Sequence, residues 1–240
     1  MKKMISMMLL VASIFCVCSC SKDEEEERLY IPSRRELKVG ETLLLGHRCD
    51  WASTNTYSAT VTWDGTVKAI RQGEANIYSA SKGVSCKVIV SPSYTLYKEP
   101  LMLWGVSKVS VMSYKGTPYN ETSTMITYKT GNANAPYEMY MFDKDVLSSS
   151  AVLVKYSYAS ALVEHLSQRY LPISIDLENS RCYFIDAETV DKAKNVIGVD
   201  YYNYSYLLVA YAEKSGTKGL SYNIDFVKDV MSHLEDIQLP

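Results

Sequence analysis

What most restricts the folding of this chain is a succession of short alternating segments between residues 29 and 92, each closed by a glycine or a polar turn. Leu37-Lys38-Val39-Gly40 leads into Thr42-Leu43-Leu44-Leu45. Ala59-Thr60-Val61, Gly65-Thr66-Val67-Lys68-Ala69-Ile70, Gly73-Glu74-Ala75-Asn76-Ile77-Tyr78 and Cys86-Lys87-Val88-Ile89-Val90 follow. Successive side chains of a strand point to opposite faces, so a period of two means one buried and one wet face. Strands this short, with turns every 8–12 residues, predict an all-β sandwich. Gly65 and Gly73 stand where a tight turn calls for positive φ, which costs glycine no steric penalty. Val84, Cys86, Val88 and Val90 share one face, which places Cys86 in the core as a small apolar residue. Cys49 has the parity of Leu43 and Leu45 and is expected to point inward near Cys86. Two separate buried thiols are expected, with a disulfide as the alternative in an oxidising compartment.

The same residues resemble the bacterial immunoglobulin-like group 2 family, whose pattern reads Trp-x-Ser, Ala-x-Val, Gly-x-Val-x-Ala, Gly-x-Ala-x-Ile and x-Val-x-Val. Here those places hold Trp51 and Ser53, Ala59 and Val61, Gly65, Val67 and Ala69, Gly73, Ala75 and Ile77, then Val88 and Val90. Thr62-Trp63-Asp64 departs from it by putting an aromatic in a turn that is usually polar. The resemblance implies an immunoglobulin-like domain over 29–92, with Trp51 in its core and a role as a rigid stalk or adhesive face.

Before this unit the chain opens on Met1-Lys2-Lys3 and runs apolar from Met4 to Val17 apart from Ser6 and Ser13. That is the basic start and short apolar stretch of a secretory signal, shorter than the roughly 20 residues that span a bilayer. Val17-Cys18-Ser19-Cys20 resembles the lipobox of bacterial lipoproteins, which implies that residues 1–19 are a signal peptide and that Cys20 is the lipidated mature terminus. Lys22 followed by Asp23 to Glu27 resembles the surface-export signal of Bacteroidota-type lipoproteins; by its charge alone, the segment 20–28 is an extended, solvated tether. The expected location is the outer membrane, lipid-anchored and facing the exterior. Removing residues 1–19 takes Lys2 and Lys3 out of 25 basic residues, leaving 23 against 27 acidic ones, a net charge of −4. Such a balance gives no electrostatic footprint for nucleic acid.

Residues 94–240 hold 17 of the 20 tyrosines. Helical spacing of Leu103, Val106, Val109 and Met112 predicts a short helix over 104–114. Leu162, Val163, Leu166 and Tyr170 predict a second over 159–170, stopped by Pro172. Strands are predicted at 124–130, 137–142, 150–156, 181–186, 195–202 and 204–213, and Asp225 is expected to cap a last helix over 226–234. The order, helix then three strands, twice, predicts an α+β domain with helices packed on an antiparallel sheet and a helix-β-β-β duplication. It vaguely resembles the repeats of β-lactamase-inhibitor-like proteins, with no residue carried over.

Chemistry is sparse. His47, His165 and His233 are far apart and no Cys-x-x-Cys or His-x-x-x-His spacing occurs, so neither a metal nor another cofactor is expected. There is no Gly-x-Ser-x-Gly elbow. Glu164-His165 is expected to be a solvent-exposed pair. Asp176, Glu178, Asp186, Glu188 and Asp191 are acids in or beside loops, without a spacing that selects a catalytic pair. In Tyr201-Tyr202-Asn203-Tyr204-Ser205-Tyr206, strand alternation puts Tyr202, Tyr204 and Tyr206 on one side. Cross-strand packing accounts for such aromatics; a stacking platform for sugar rings or a protein partner is the functional reading, extended by Tyr119, Tyr137 and Tyr140. The expectation is a non-catalytic, surface-anchored binding or adhesion module for a glycan or host protein. An inhibitor or envelope-assembly module and a glycan-active hydrolase are the alternatives.

Overall fold

The computed structural model describes residues 29–176 and 181–214, with Val227, Lys228, Val230, Met231 and Ser232. Cys20, the acidic segment, Glu178, Asp225 and His233 lie outside the described residues.

The first seven strands make two sheets. β1 (Arg34–Lys38), β7 (Val84–Ser91), β6 (Gly73–Ser79) and β3 (Trp51–Ser53) form one in that order, with β1 parallel to β7 and the other pairs antiparallel. β2 (Thr42–Leu44), β5 (Thr66–Ala69) and β4 (Ala59–Val61) form the other. Alternate residues of both sheets meet in one core, where Leu37, Ile77, Cys86, Val88 and Val90 face Ala59, Val67 and Ala69. Trp51 is half-buried against that core, and its Nε1 donates to the His47 carbonyl at 2.7 Å. A Cβ on Gly65, whose φ is +82°, would lie 3.0 Å from that indole nitrogen. Glycine therefore serves both the turn and the close approach of Trp51.

Cys86 is buried, as the alternation of β7 requires. Cys49 corrects its expectation: it lies beyond the end of β2, half-exposed and outside the core cluster, and Cys49, Cys86 and Cys182 are all free.

The remaining described residues build one eight-stranded antiparallel sheet. Its strands are β8 (Asn120–Glu121), β9 (Met125–Lys129), β10 (Tyr137–Asp143), β11 (Val146–Lys155), β12 (Leu171–Asp176), β13 (Arg181–Ile185), β14 (Asn195–Asn203) and β15 (Tyr206–Glu213). The order β12-β13-β14-β15-β11-β10-β9-β8 consists of two four-stranded meanders joined where β11 pairs with β15. One face carries Ile126, Tyr140, Val152, Ile197 and Tyr211 beneath the segment holding Leu96 and Tyr97 and two short helices, α1 (Lys108–Lys115) and α2 (Ala159–Ser167). The other carries Met139, Leu153, Leu208 and Ala210 beneath Val227 and Val230. At its edges the sheet stops on the two-residue β8 and on β12, where Pro172 adjoins a register shift.

This overturns the expected α+β domain. Among the described residues the unit is predominantly sheet, α1 and α2 have eight and nine residues, and each half has four strands instead of three. Two strands escaped the sequence, β8, which is two residues long, and β12, whose Pro172 was read only as the stop of the preceding helix. The first helix begins late, with Ser107 Oγ accepting from the Ser110 amide at 3.2 Å. Its buried residue is Val111, whereas Val109, expected inside, is 72% exposed.

Candidate active-site cleft at the junction of the two sheet systems

The carboxyl end of α2 joins the two halves of the molecule. Past the last turn, the Gln168 carbonyl accepts from the Gln72 amide at 2.8 Å, and the Arg169 carbonyl accepts from Tyr57 Oη at 2.5 Å. A helix end leaves carbonyls without intrahelical donors, and here donors from the first sheet system serve two residues just beyond it. Gln168 Oε1 in turn receives the amides of Ser93 and Tyr94 at 2.8 and 3.1 Å, which ties down the connecting segment. The buried Arg169 guanidinium donates to the carbonyls of His165 and Tyr94 at 2.8 and 3.2 Å and to Thr95 Oγ1 at 2.8 Å.

Beside this joint lies a cleft of about 270 Å³, lined among others by Tyr57, Gln72, Glu99, Tyr170, Asp186 and Asn195. Each carboxylate is held in place. Glu99 accepts from Tyr170 Oη at 2.5 Å and lies 3.9 Å from Arg169 Nε. Burial pushes its pKa up from the ordinary carboxylate value, and the Tyr170 hydroxyl and Arg169 pull it back. Burial also raises Tyr170, and Glu99 beside it adds to the shift. Asp186 Oδ1 accepts the amides of Lys194 and Asn195 at 2.9 and 3.1 Å, and Oδ2 accepts Asn195 Nδ2 at 2.7 Å. Asn195 Oδ1 is held by Trp104 Nε1 at 2.8 Å. The cleft thus presents two fixed carboxylates, two carboxamides and two tyrosines, a set suited to a small, hydroxyl-rich ligand.

Of the acids singled out in the sequence, Asp186 lines this cleft, while Glu188 pairs with Lys192 at 3.0 Å and with Thr56 Oγ1. Glu99, Tyr57 and the Gln168–Tyr170 run were missed. Their one visible signal was a cluster of polar residues at the end of a helix just before Pro172. His165 corrects the expected exposed pair: it is fully buried, its Nδ1 accepts from the Leu96 amide at 3.1 Å, and Tyr97 lies over it with ring centroids 4.2 Å apart. Burial, with Arg169 adding to it, pushes its pKa down to about 3. Among the described residues no group of three or more His, Cys, Asp or Glu side chains is placed to hold a metal ion.

The tyrosine platform is not assembled as alternation foretold. Asn203 Oδ1 accepts the amides of Ser205 and Tyr206 at 2.9 and 3.0 Å, turning the chain between β14 and β15. Such a side-chain-capped turn interrupts the period of two. Tyr202 and Tyr206 are half-buried against the core on one face of the sheet. Tyr204 sits at the tip of the turn, 95% exposed, edge-on to Tyr201 at 6.4 Å. Tyr137 and Tyr140 are buried in the sheet, while Tyr119 is exposed with its ring centroid 6.1 Å from that of Tyr137.

No protein-family model matches the chain, and no curated protein matches it in sequence. Among the described residues no helix is long and apolar enough to cross a membrane.

Proposed function

We propose that this chain is a lipoprotein anchored to the outer membrane through Cys20, facing the exterior, whose folded part binds a glycan without cleaving it. The junction cleft carries this reading. Its carboxylates and the Asn195 carboxamide are immobilised before any ligand arrives, so little ordering cost remains when hydroxyl groups dock. A volume of about 270 Å³ suits one sugar unit or a chain end better than an extended polymer. The 20–28 segment serves as tether and the first sheet system as stalk.

A glycan array probed with the full-length protein tests the reading. Retention of at least one glycan is expected, with at least about tenfold weaker binding on Asn195→Ala, which removes one cleft amide and its hydrogen bond to Asp186 Oδ2. Silence across the array, or unchanged binding by that variant, overturns it. Mass spectrometry of native protein tests the anchor, with diacylglycerol on Cys20 expected and an unmodified thiol fatal to it.

One observation favours hydrolysis as a second reading: Glu99, biased toward its protonated form, shares a cleft with Asp186, the pairing a glycosidase uses. New reducing ends released from a retained glycan, and lost in Glu99→Gln with binding kept, would decide for it.

A further inference from the structure

The two ends of the first sheet system have different surroundings. At one end Tyr57 and Gln72 bond to the run beyond α2 and make the joint with the large sheet. The opposite end is closed by the connections 45–50, 62–65 and 80–83. Hydrogen bonds make these one surface. The Cys49 amide donates to the Trp63 carbonyl at 3.3 Å, the Leu45 amide to the Gly65 carbonyl at 2.9 Å, and the Ser81 amide to Asp50 Oδ2 at 3.0 Å. The chain also enters here. β1 runs parallel to β7 with Arg34 beside Lys87, so residues 29–33 pass the beginning of β7 at this end.

Three large side chains stand out from this surface: Tyr30 is 92%, Leu44 68% and Trp63 62% exposed. The turn that carries Trp63 closes without its ring. Thr62 Oγ1 donates to Asp64 Oδ1, the Gly65 amide to the Thr62 carbonyl at 3.0 Å, and the Thr66 amide to Asp64 Oδ1 at 3.2 Å. Exposed Arg48 lays its guanidinium 4.3 Å from the centroid of the Trp63 ring. The acids of this end are committed within it, Asp64 to its own turn and Asp50 to Ser79 and Ser81. Tryptophan and tyrosine combine a flat apolar body with a polar tip, and arginine keeps its head in water above an apolar stem. Such side chains settle at the boundary between membrane and water.

We propose that this end of the first sheet system rests on the bilayer, with Tyr30, Leu44 and Trp63 in the headgroup zone and Arg48 at the lipid phosphates. This orientation rests on the Cys20 anchor proposed above. Residues 20–28 reach at most roughly 30 Å when extended, so an acyl chain on Cys20 holds the entry end close to the surface. A soluble partner would meet the same side chains, but it has no reason to choose the end at which the tether enters. The junction cleft, at the opposite end, then faces away from the lipid.

Fluorescence quenching in vesicles tests it. Native full-length protein, its Cys20 read by mass spectrometry on the same sample, is reconstituted into phosphatidylcholine vesicles with and without bromine on the acyl chains. Bromine quenches a tryptophan that reaches the lipid, so emission should fall by about a quarter or more, one of the three tryptophans being in the headgroup zone. Trp63→Phe should lose the quenching, still float with the vesicles and keep the wild-type melting temperature, because Trp63 is exposed. Y30S/L44S, which leaves the reporter in place, should lower the quenching by about half or more as apolar area leaves the contact. Unchanged emission from acylated, floating protein overturns the proposal and leaves the anchor standing. So does quenching that persists in Trp63→Phe or is unaltered in Y30S/L44S. An unmodified Cys20 overturns the anchor and this orientation together.

Discussion

The two sheet systems bury their strands in different ways. In the first, β6 and β7 alternate residue by residue between core and water, so each strand contributes only half its side chains to a core of small residues. In the second, β10 and β15 are buried on both faces for almost their whole length, with large side chains such as Tyr140, Tyr211 and Met139 at zero exposure. One architecture is a pair of thin sheets facing each other. The other is a single sheet covered from both sides. Side-chain truncation should therefore hurt the second far more than the first, and its polar groups have fewer routes to water.

The contrast can be broken most directly at Tyr211. Truncating a fully buried aromatic costs about 3–5 kcal/mol, so Tyr211→Ala should shift a urea midpoint by that amount, while Tyr211→Phe should cost about 1–2 kcal/mol by orphaning the Tyr97 hydroxyl 2.6 Å away. A Tyr211→Ala loss below about 1 kcal/mol would mean that the covered sheet is not close-packed. Next comes Gly73, at φ +146°, where a Cβ would land on the buried Ser58 hydroxyl. Gly73→Ala should destabilise by about 2–4 kcal/mol through strain and overpacking, and an unaffected melt would show that the first system yields more readily than its core suggests.

His165 sharpens the comparison through pH. Its folded pKa of about 3 lies below the unfolded value of 6.5, so its contribution is complete above about 6.5 and disappears as pH falls toward 3. Over that window stability should fall by up to about 1.4 kcal/mol per pH unit, a slope that His165→Phe removes. An identical slope in the variant would assign acid sensitivity elsewhere. Trp51→Ala should cost about 2 kcal/mol, less than a fully buried aromatic, because Trp51 is only half covered. At the small end, Tyr204→Ala should change stability by less than about 0.5 kcal/mol, as expected of an exposed turn residue.

The same difference decides what could be read from the sequence. Alternation announced β5, β6 and β7 and the inward face of Cys86, because a half-wet strand writes its geometry into every second residue. Strands buried on both faces write no such period, so Tyr137–Asp143 and Tyr206–Glu213 were legible as strands without showing which side of each faces which cover. Their sheet partners, and the balance between strand and helix, stayed hidden. Asn203 broke the tyrosine alternation by a side-chain hydrogen bond that residue type allows but does not compel. The junction cleft was the least legible feature. Tyr57 and Arg169 meet across 112 positions of chain, through a carbonyl that every residue type carries.

One consequence follows from how the large sheet ends. An open row of amides and carbonyls is a template on which another molecule can add a strand. Here one border is two residues long and the other lacks an amide at Pro172. Copies crowded together would find little to zip onto, so the fold itself guards against fibril-like association at high local density.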